Sequence, residues 1–240
     1  MLMTLKKKIL ATVALPVLGF ALWAYYPNLV TQDAGLVFKV EGALDSKLNF
    51  RDAGASINEC AGRKIMPEQK IYRASGFFSG WPCDRVGNPD VIYSLNGFLS
   101  SGKHYYCRGA DEYKVGVTYQ QVELNDLELL ETWHNHPEMV AAVCEVLQAE
   151  IANLKKDKKS LLHCDAGRDR TGAVVALLAA YELEMDGVLS DEEISAIECD
   201  YRKSKSLGPM KFGRIQKFLQ EVKSPNGVRK FLTSMCNWTQ

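Results

Sequence analysis

Apolar positions follow two different periods along this chain, and their order predicts a sheet laid down early and helices added late. The stretches Asn49-Phe50-Arg51-Asp52-Ala53-Gly54 and Lys70-Ile71-Tyr72-Arg73-Ala74-Ser75 read as two opening strands. Val91-Ile92-Tyr93-Ser94-Leu95 is a short apolar run suited to a buried parallel strand, and Val117 to Leu124 reads as another strand. Between them, Gly97 to Gly116 is polar and rich in Gly and aromatics, which predicts a loop or small hairpin long enough to form a functional rim.

Helical spacing takes over at Pro137, with Met139, Val140, Val143, Val146, Leu147, Ile151 and Leu154 on one face. Lys155 to Lys159 ends that helix in a solvated turn, and Ser160-Leu161-Leu162 begins a buried strand. Ala173 to Ala180 is apolar nearly all round, so its helix should run through the core. Ser190-Asp191-Glu192-Glu193 is a capping box opening a helix with Ile194, Ile197 and Tyr201 inside, and Gly208-Pro209 breaks it. Phe212 to Val222 and Val228 to Met235 supply two more helices. The fold class that follows is α/β, a central, mostly parallel sheet flanked by helices.

The N-terminus is a different material. Lys6-Lys7-Lys8 precede Ile9 to Tyr26, an uncharged and largely apolar run of 18 residues, as in an export signal or a membrane anchor. The organisation expected is a leader over 1–30, a linker over 31–46 with one short strand at Gly35 to Val40, and a catalytic domain over 47–240. A basic flank kept inside would place that domain on the outer side of a membrane, anchored or released. Of the 240 residues 47% are hydrophobic, enough for one core, and Lys+Arg equals Asp+Glu at 29 each. No global field therefore selects nucleic acid as a partner. Seven cysteines leave six available for disulfides if Cys164 stays free. Cys60, Cys83 and Cys107 lie in polar, loop-like segments that suit pairing, while Cys144 and Cys199 fall in helical patterns equally suited to reduced core residues.

The chemistry concentrates in His163-Cys164-Asp165-Ala166-Gly167-Arg168-Asp169-Arg170-Thr171-Gly172, between the strand and the apolar helix. Orphan N–H groups at a helix start favour an anion, here both the cysteine sulfur and a bound phosphate. Residues Asp165 to Arg170 form the loop that would cradle the phosphate oxygens, with Gly167 giving the curl and Arg170 a planar fork for two oxygens. The Thr171 hydroxyl is placed to donate to sulfur, and Gly172 lets the helix begin close to the loop. Arg168 adds a second cation. No metal or other cofactor is called for, and His134 and His136 stand without the further ligands of a metal set.

His-Cys-x-x-Gly-x-x-Arg-Thr-Gly resembles the signature of the cysteine-dependent protein tyrosine and dual-specificity phosphatases, and the opening strands look like those of bacterial and atypical dual-specificity members. The resemblance implies Cys164 as nucleophile, a phosphocysteine intermediate and a carboxylic acid that protonates the leaving oxygen. Asp126, 38 residues before Cys164 and just after a strand, matches the acid in order and setting. Asp169 is the rival, since some bacterial and lipid-directed relatives carry an acid immediately before the loop arginine; its other reading is an ion pair that orients Arg168 or Arg170. The implied partner is a phosphorylated protein, with a phosphoinositide or inositol phosphate as the alternative that Arg168 would favour.

Overall fold

Strand β7 (Ser160–Cys164) runs through the middle of a five-stranded sheet, and its neighbours decide where its last residue points. The computed structural model describes residues 49–75, 81–95, 107–108, 118–121, 136–164, 166–184, 187–204, 213–223 and 226–238, all within a compact unit spanning Leu44–Gln240. The leader, the linker and its strand, Asp126, Asp165 and the Gly208-Pro209 break lie outside the described residues.

The sheet order is β1 (Arg51–Asp52), β2 (Ile71–Ser75), β7, β4 (Val91–Ser94) and β6 (Thr118–Gln121). Only β1 is antiparallel; β2, β7, β4 and β6 are mutually parallel, with Ser75 opposite Cys164 and Ser94 opposite His163. Two-residue strands β3 (Trp81–Pro82) and β5 (Cys107–Arg108) pair in parallel as a separate ribbon, so the segment expected as a loop or hairpin contributes a strand instead.

Side chains alternate across a strand. Ile71, Val91, Tyr93, Leu162 and Cys164 join the helices in one buried cluster, and Ala74, Ile92 and Leu161 face a smaller one with Cys83 and Val86. The helices among the described residues are α1 (Ala53–Ala61), α2 (Pro137–Lys155), α3 (Asp169–Leu183), α4 (Asp191–Lys203), α5 (Arg214–Lys223) and α6 (Val228–Met235). The expected inner face of α2 is buried or half-buried throughout, and α3 is buried along most of its length. The capping box at α4 forms as expected, Ser190 accepting from the Glu193 N–H while the Glu193 carboxylate accepts from the Ser190 N–H. No described helix is long and apolar enough to cross a membrane.

The first opening strand is much shorter than expected. It stops after two residues because Asp52 caps a helix, accepting from the Ala55 N–H at 3.2 Å, and Gly62 closes that helix at φ 65°. Polar Ser56 and Asn58 hide the helical period of α1, yet both are buried. The two helical cysteines are also oxidised rather than reduced: Cys60 pairs with Cys199 and Cys144 with Cys236. Cys83 is disulfide-bonded too, and Cys164 is free.

Candidate active site

The loop from β7 into α3 is held from behind by its carbonyls. Asn49 Nδ2 donates to the Ala166 carbonyl at 2.7 Å. Arg73 Nη2 donates to the carbonyls of Gly167 and Arg168 at 3.1 and 3.2 Å. In a trans peptide the C=O and the following N–H point in opposite directions. Tying three successive carbonyls to one side therefore aims the N–H groups of Gly167, Arg168 and Asp169 to the other, an arrangement chemically able to hold an anion.

Two glycines make this close approach possible. Gly167 sits at φ 64°, and a Cβ there would lie 2.3 Å from the carbonyl of Ala74 and 2.5 Å from the N of Ser75. At Gly172 a Cβ would meet the Tyr201 ring at 2.6 Å and Arg73 at 3.2 Å. The second contact refines the sequence reading, since Gly172 lets α3 start against α4 and Arg73.

Cys164, the last residue of β7, is 2% exposed, on the same face of the sheet as the helices. Arg73 lies close enough to interact electrostatically with it. Arg170 reaches the end of β4, donating through Nη1 to the Leu95 carbonyl at 2.9 Å. The Thr171 hydroxyl is buried without a hydrogen-bond partner among the described residues. Of the remaining expected loop residues, Ala166 and Gly167 form the curl and Arg168 stands at the N-cap of α3.

Asp169 is buried and occupied on both oxygens. Its Oδ1 accepts from the Tyr201 hydroxyl at 2.6 Å, with Arg214 at 3.6 Å, and its Oδ2 accepts from Arg168 Nε at 2.8 Å. Burial and this carboxylate push the Tyr201 phenol up, which keeps it protonated as a donor. Arg168 is thus committed to Asp169 by one nitrogen, the ion-pair alternative that the sequence allows.

Behind the loop lies a charge cluster that the sequence did not announce. Arg73 is fully buried, with Nη1 2.5 Å from Asp200 Oδ2. Arg51 Nε donates to Asp200 Oδ1 at 2.6 Å, and its Nη2 to the Asp200 carbonyl at 2.7 Å and to Ser204 Oγ at 2.8 Å. Burial alone would raise the Asp200 carboxyl, but Arg73 and Arg51 overcome it and hold it at about 2. Burial and the charge of Arg51 draw Arg73 down to about 10, so it stays charged at neutral pH. The available signal was an arginine two residues after the inward-facing Ile71 of a strand, a position that needs a buried counter-ion.

Residues 114–238, just over half of the chain, match the tyrosine phosphatase family. A crystal structure of PTPMT1 in complex with PI(5)P is similar at 16% identity and a TM-score of 0.39, over 70% of this chain and 94% of that chain. No curated protein matches the chain. With an α/β sheet, a loop of outward-facing N–H groups between its central strand and a core helix, and a family match covering that loop and the helices after it, the chain belongs to the tyrosine phosphatase family.

Proposed function

We propose that this phosphatase works through Cys164, forming a phosphocysteine, with phosphotyrosine or a similar phosphomonoester as substrate. The observation that carries the reading is the set of three tied carbonyls of Ala166, Gly167 and Arg168, which leaves three N–H donors beside Cys164, free at the end of β7. In the first step the sulfur attacks phosphorus, an S–P bond forms, and the ester P–O bond breaks as a carboxylic acid gives its proton to the departing oxygen. In the second, water attacks phosphorus, the S–P bond breaks, and the carboxylate takes the proton from water. The loop N–H groups and Arg170 hold the equatorial oxygens in both steps.

The carboxylic acid is Asp126 or Asp169. Asp169 belongs to the loop, but Arg168, Arg214 and the Tyr201 hydroxyl take up its two oxygens, so it would have to leave these partners to reach a departing oxygen. Asp126→Asn and Asp169→Asn decide between them: the variant of the true acid loses far more activity on an alkyl phosphate than on para-nitrophenyl phosphate, whose leaving group needs no proton. Hydrolysis of para-nitrophenyl phosphate by the wild type and its loss in Cys164→Ser test the nucleophile.

The engagement of Arg168 by Asp169 lessens the cationic character that a polyanionic head group would seek, and this supports a phosphotyrosine substrate. A panel of phosphotyrosine peptide, phosphoserine peptide and phosphoinositides tests it, and preference for the lipid would reverse the assignment. We also propose export, with the domain anchored or released outside the bacterial inner membrane. The basic and apolar leader and the disulfides at Cys60, Cys144 and Cys83 support that reading. Recovery of the full chain in the cytoplasm with these cysteines reduced would refute it.

A further inference from the structure

Four consecutive residues of α4 reach four different parts of the molecule. Glu198 accepts from the backbone N–H groups of Gly213, Ile215 and Gln216 at the start of α5, at 2.7, 3.0 and 3.0 Å. Cys199 is disulfide-bonded to Cys60 at the end of α1. Asp200 takes both Arg51 and Arg73, and Tyr201 donates to Asp169 while its ring fills the space beside Gly172.

Asp200 stands at the centre of all three carbonyl tethers. Arg73, which holds Gly167 and Arg168, is oriented by Asp200 through Nη1 and by Ser204 Oγ at 3.2 Å. Asn49, which holds Ala166, has its own carbonyl held by Arg51 Nη1 at 3.3 Å, and Arg51 is in turn fixed on Asp200. The buried Arg73 and the half-buried Arg51 repel one another, and the carboxylate between them makes that arrangement favourable.

We propose that Asp200 and Tyr201 are positioning residues of the phosphate loop. Asp200 acts through Arg73 and through Arg51 and Asn49, fixing the direction of three loop N–H groups. Tyr201 acts through Asp169, fixing the entrance of α3. The inference rests on the phosphate-binding reading of the loop. It extends that reading from the loop itself to a helix that begins 21 residues after Arg170.

The test uses the full chain and two probes, vanadate as a mimic of the five-coordinate state and inorganic phosphate as a ground-state ligand. Both are measured as competitive inhibitors of para-nitrophenyl phosphate hydrolysis, beside urea unfolding. In Asp200→Asn the vanadate constant should rise about 30-fold and kcat fall about 100-fold, because misaimed oxyanion donors cost most at the transition state. The phosphate constant and KM should change by only about five-fold. Asp200→Glu should restore part of the loss, and Tyr201→Phe should lower kcat about five-fold with the fold intact. A folded Asp200→Asn with wild-type kcat and vanadate constant would overturn the proposal, even if its urea midpoint fell. Should that variant not fold, Ser204→Ala and Tyr201→Phe carry the test, and unchanged vanadate constants in both would overturn it. A wild-type enzyme that neither hydrolyses the ester nor binds vanadate would instead refute the phosphatase site itself.

Discussion

Two buried carboxylates sit at opposite ends of the same central strand, and their partners give them opposite character. Beside Ser160, at the start of β7, Glu150 is completely buried among neutral groups: Ser160 Oγ donates to it, and Asn153 Nδ2 donates to it at 3.3 Å and to Tyr93 Oη at 2.9 Å. Burial pushes its carboxyl up despite these hydrogen bonds. Beyond Cys164, Asp200 is equally buried but lies between two guanidinium groups and is held at about 2. Burial is therefore not what sets the charge state. The end of the strand that carries Cys164 holds its carboxylate in the charged form, and the other end disfavours that form.

The comparison is broken most directly by paired variants. Asp200→Asn leaves Arg51 and Arg73 without their counter-ion and should cost about 3–5 kcal/mol in urea unfolding. Glu150→Gln keeps the hydrogen-bonding capacity and should cost less than about 1 kcal/mol. Equal losses would mean that both carboxylates are merely packed.

Acid sharpens the same contrast. The Asp200 carboxyl lies below its usual 3.8 in the folded state, so its contribution is complete above about pH 4 and disappears as pH falls toward 2. With Arg51 and Arg73 both paired to it, that contribution is roughly 2 kcal/mol. Glu150 works the other way: its raised carboxyl favours the folded state at low pH, and that advantage fades as pH rises past its usual 4.5. Unfolding measured from pH 2 to 7 should show a steep acid loss in wild type, and Glu150→Gln should be relatively more stable at pH 7 than at pH 4. An identical pH profile for wild type and that variant would contradict a raised Glu150 carboxyl.

The smallest expected effect is on activity at the far end of the strand. Glu150→Gln should leave kcat/KM for para-nitrophenyl phosphate within about two-fold of wild type, since it touches no part of the loop. A large loss there would show that the two ends are coupled through β7.

The Cys164 end of the strand was legible where structure depends on local order. The cysteine-to-glycine stretch placed the loop, the strand before it and the core helix after it, because each follows from neighbouring residue types. The capping box at Ser190 and the apolar face of α2 were equally local. What stayed hidden depends on partners distant in the chain. Arg73 and Asp200 are 127 residues apart, and neither is unusual until the two are seen buried together. Cys60 and Cys199 are separated by 139 residues, and pairing over such a distance leaves no periodic trace. Helix α1 was missed for a different reason: its inner face includes Ala53, Gly54, Ser56 and Asn58, buried positions without large apolar side chains.

The central claim is that phosphate passes through the sulfur of residue 164. Mixing enzyme with a labelled phosphotyrosine substrate, quenching in acid during the first turnover and mapping the label by mass spectrometry tests it at the atom concerned. A phosphoryl group on the peptide carrying Cys164, absent in Cys164→Ser, is expected. Steady turnover by Cys164→Ser, or a label that maps to any other residue, would contradict it.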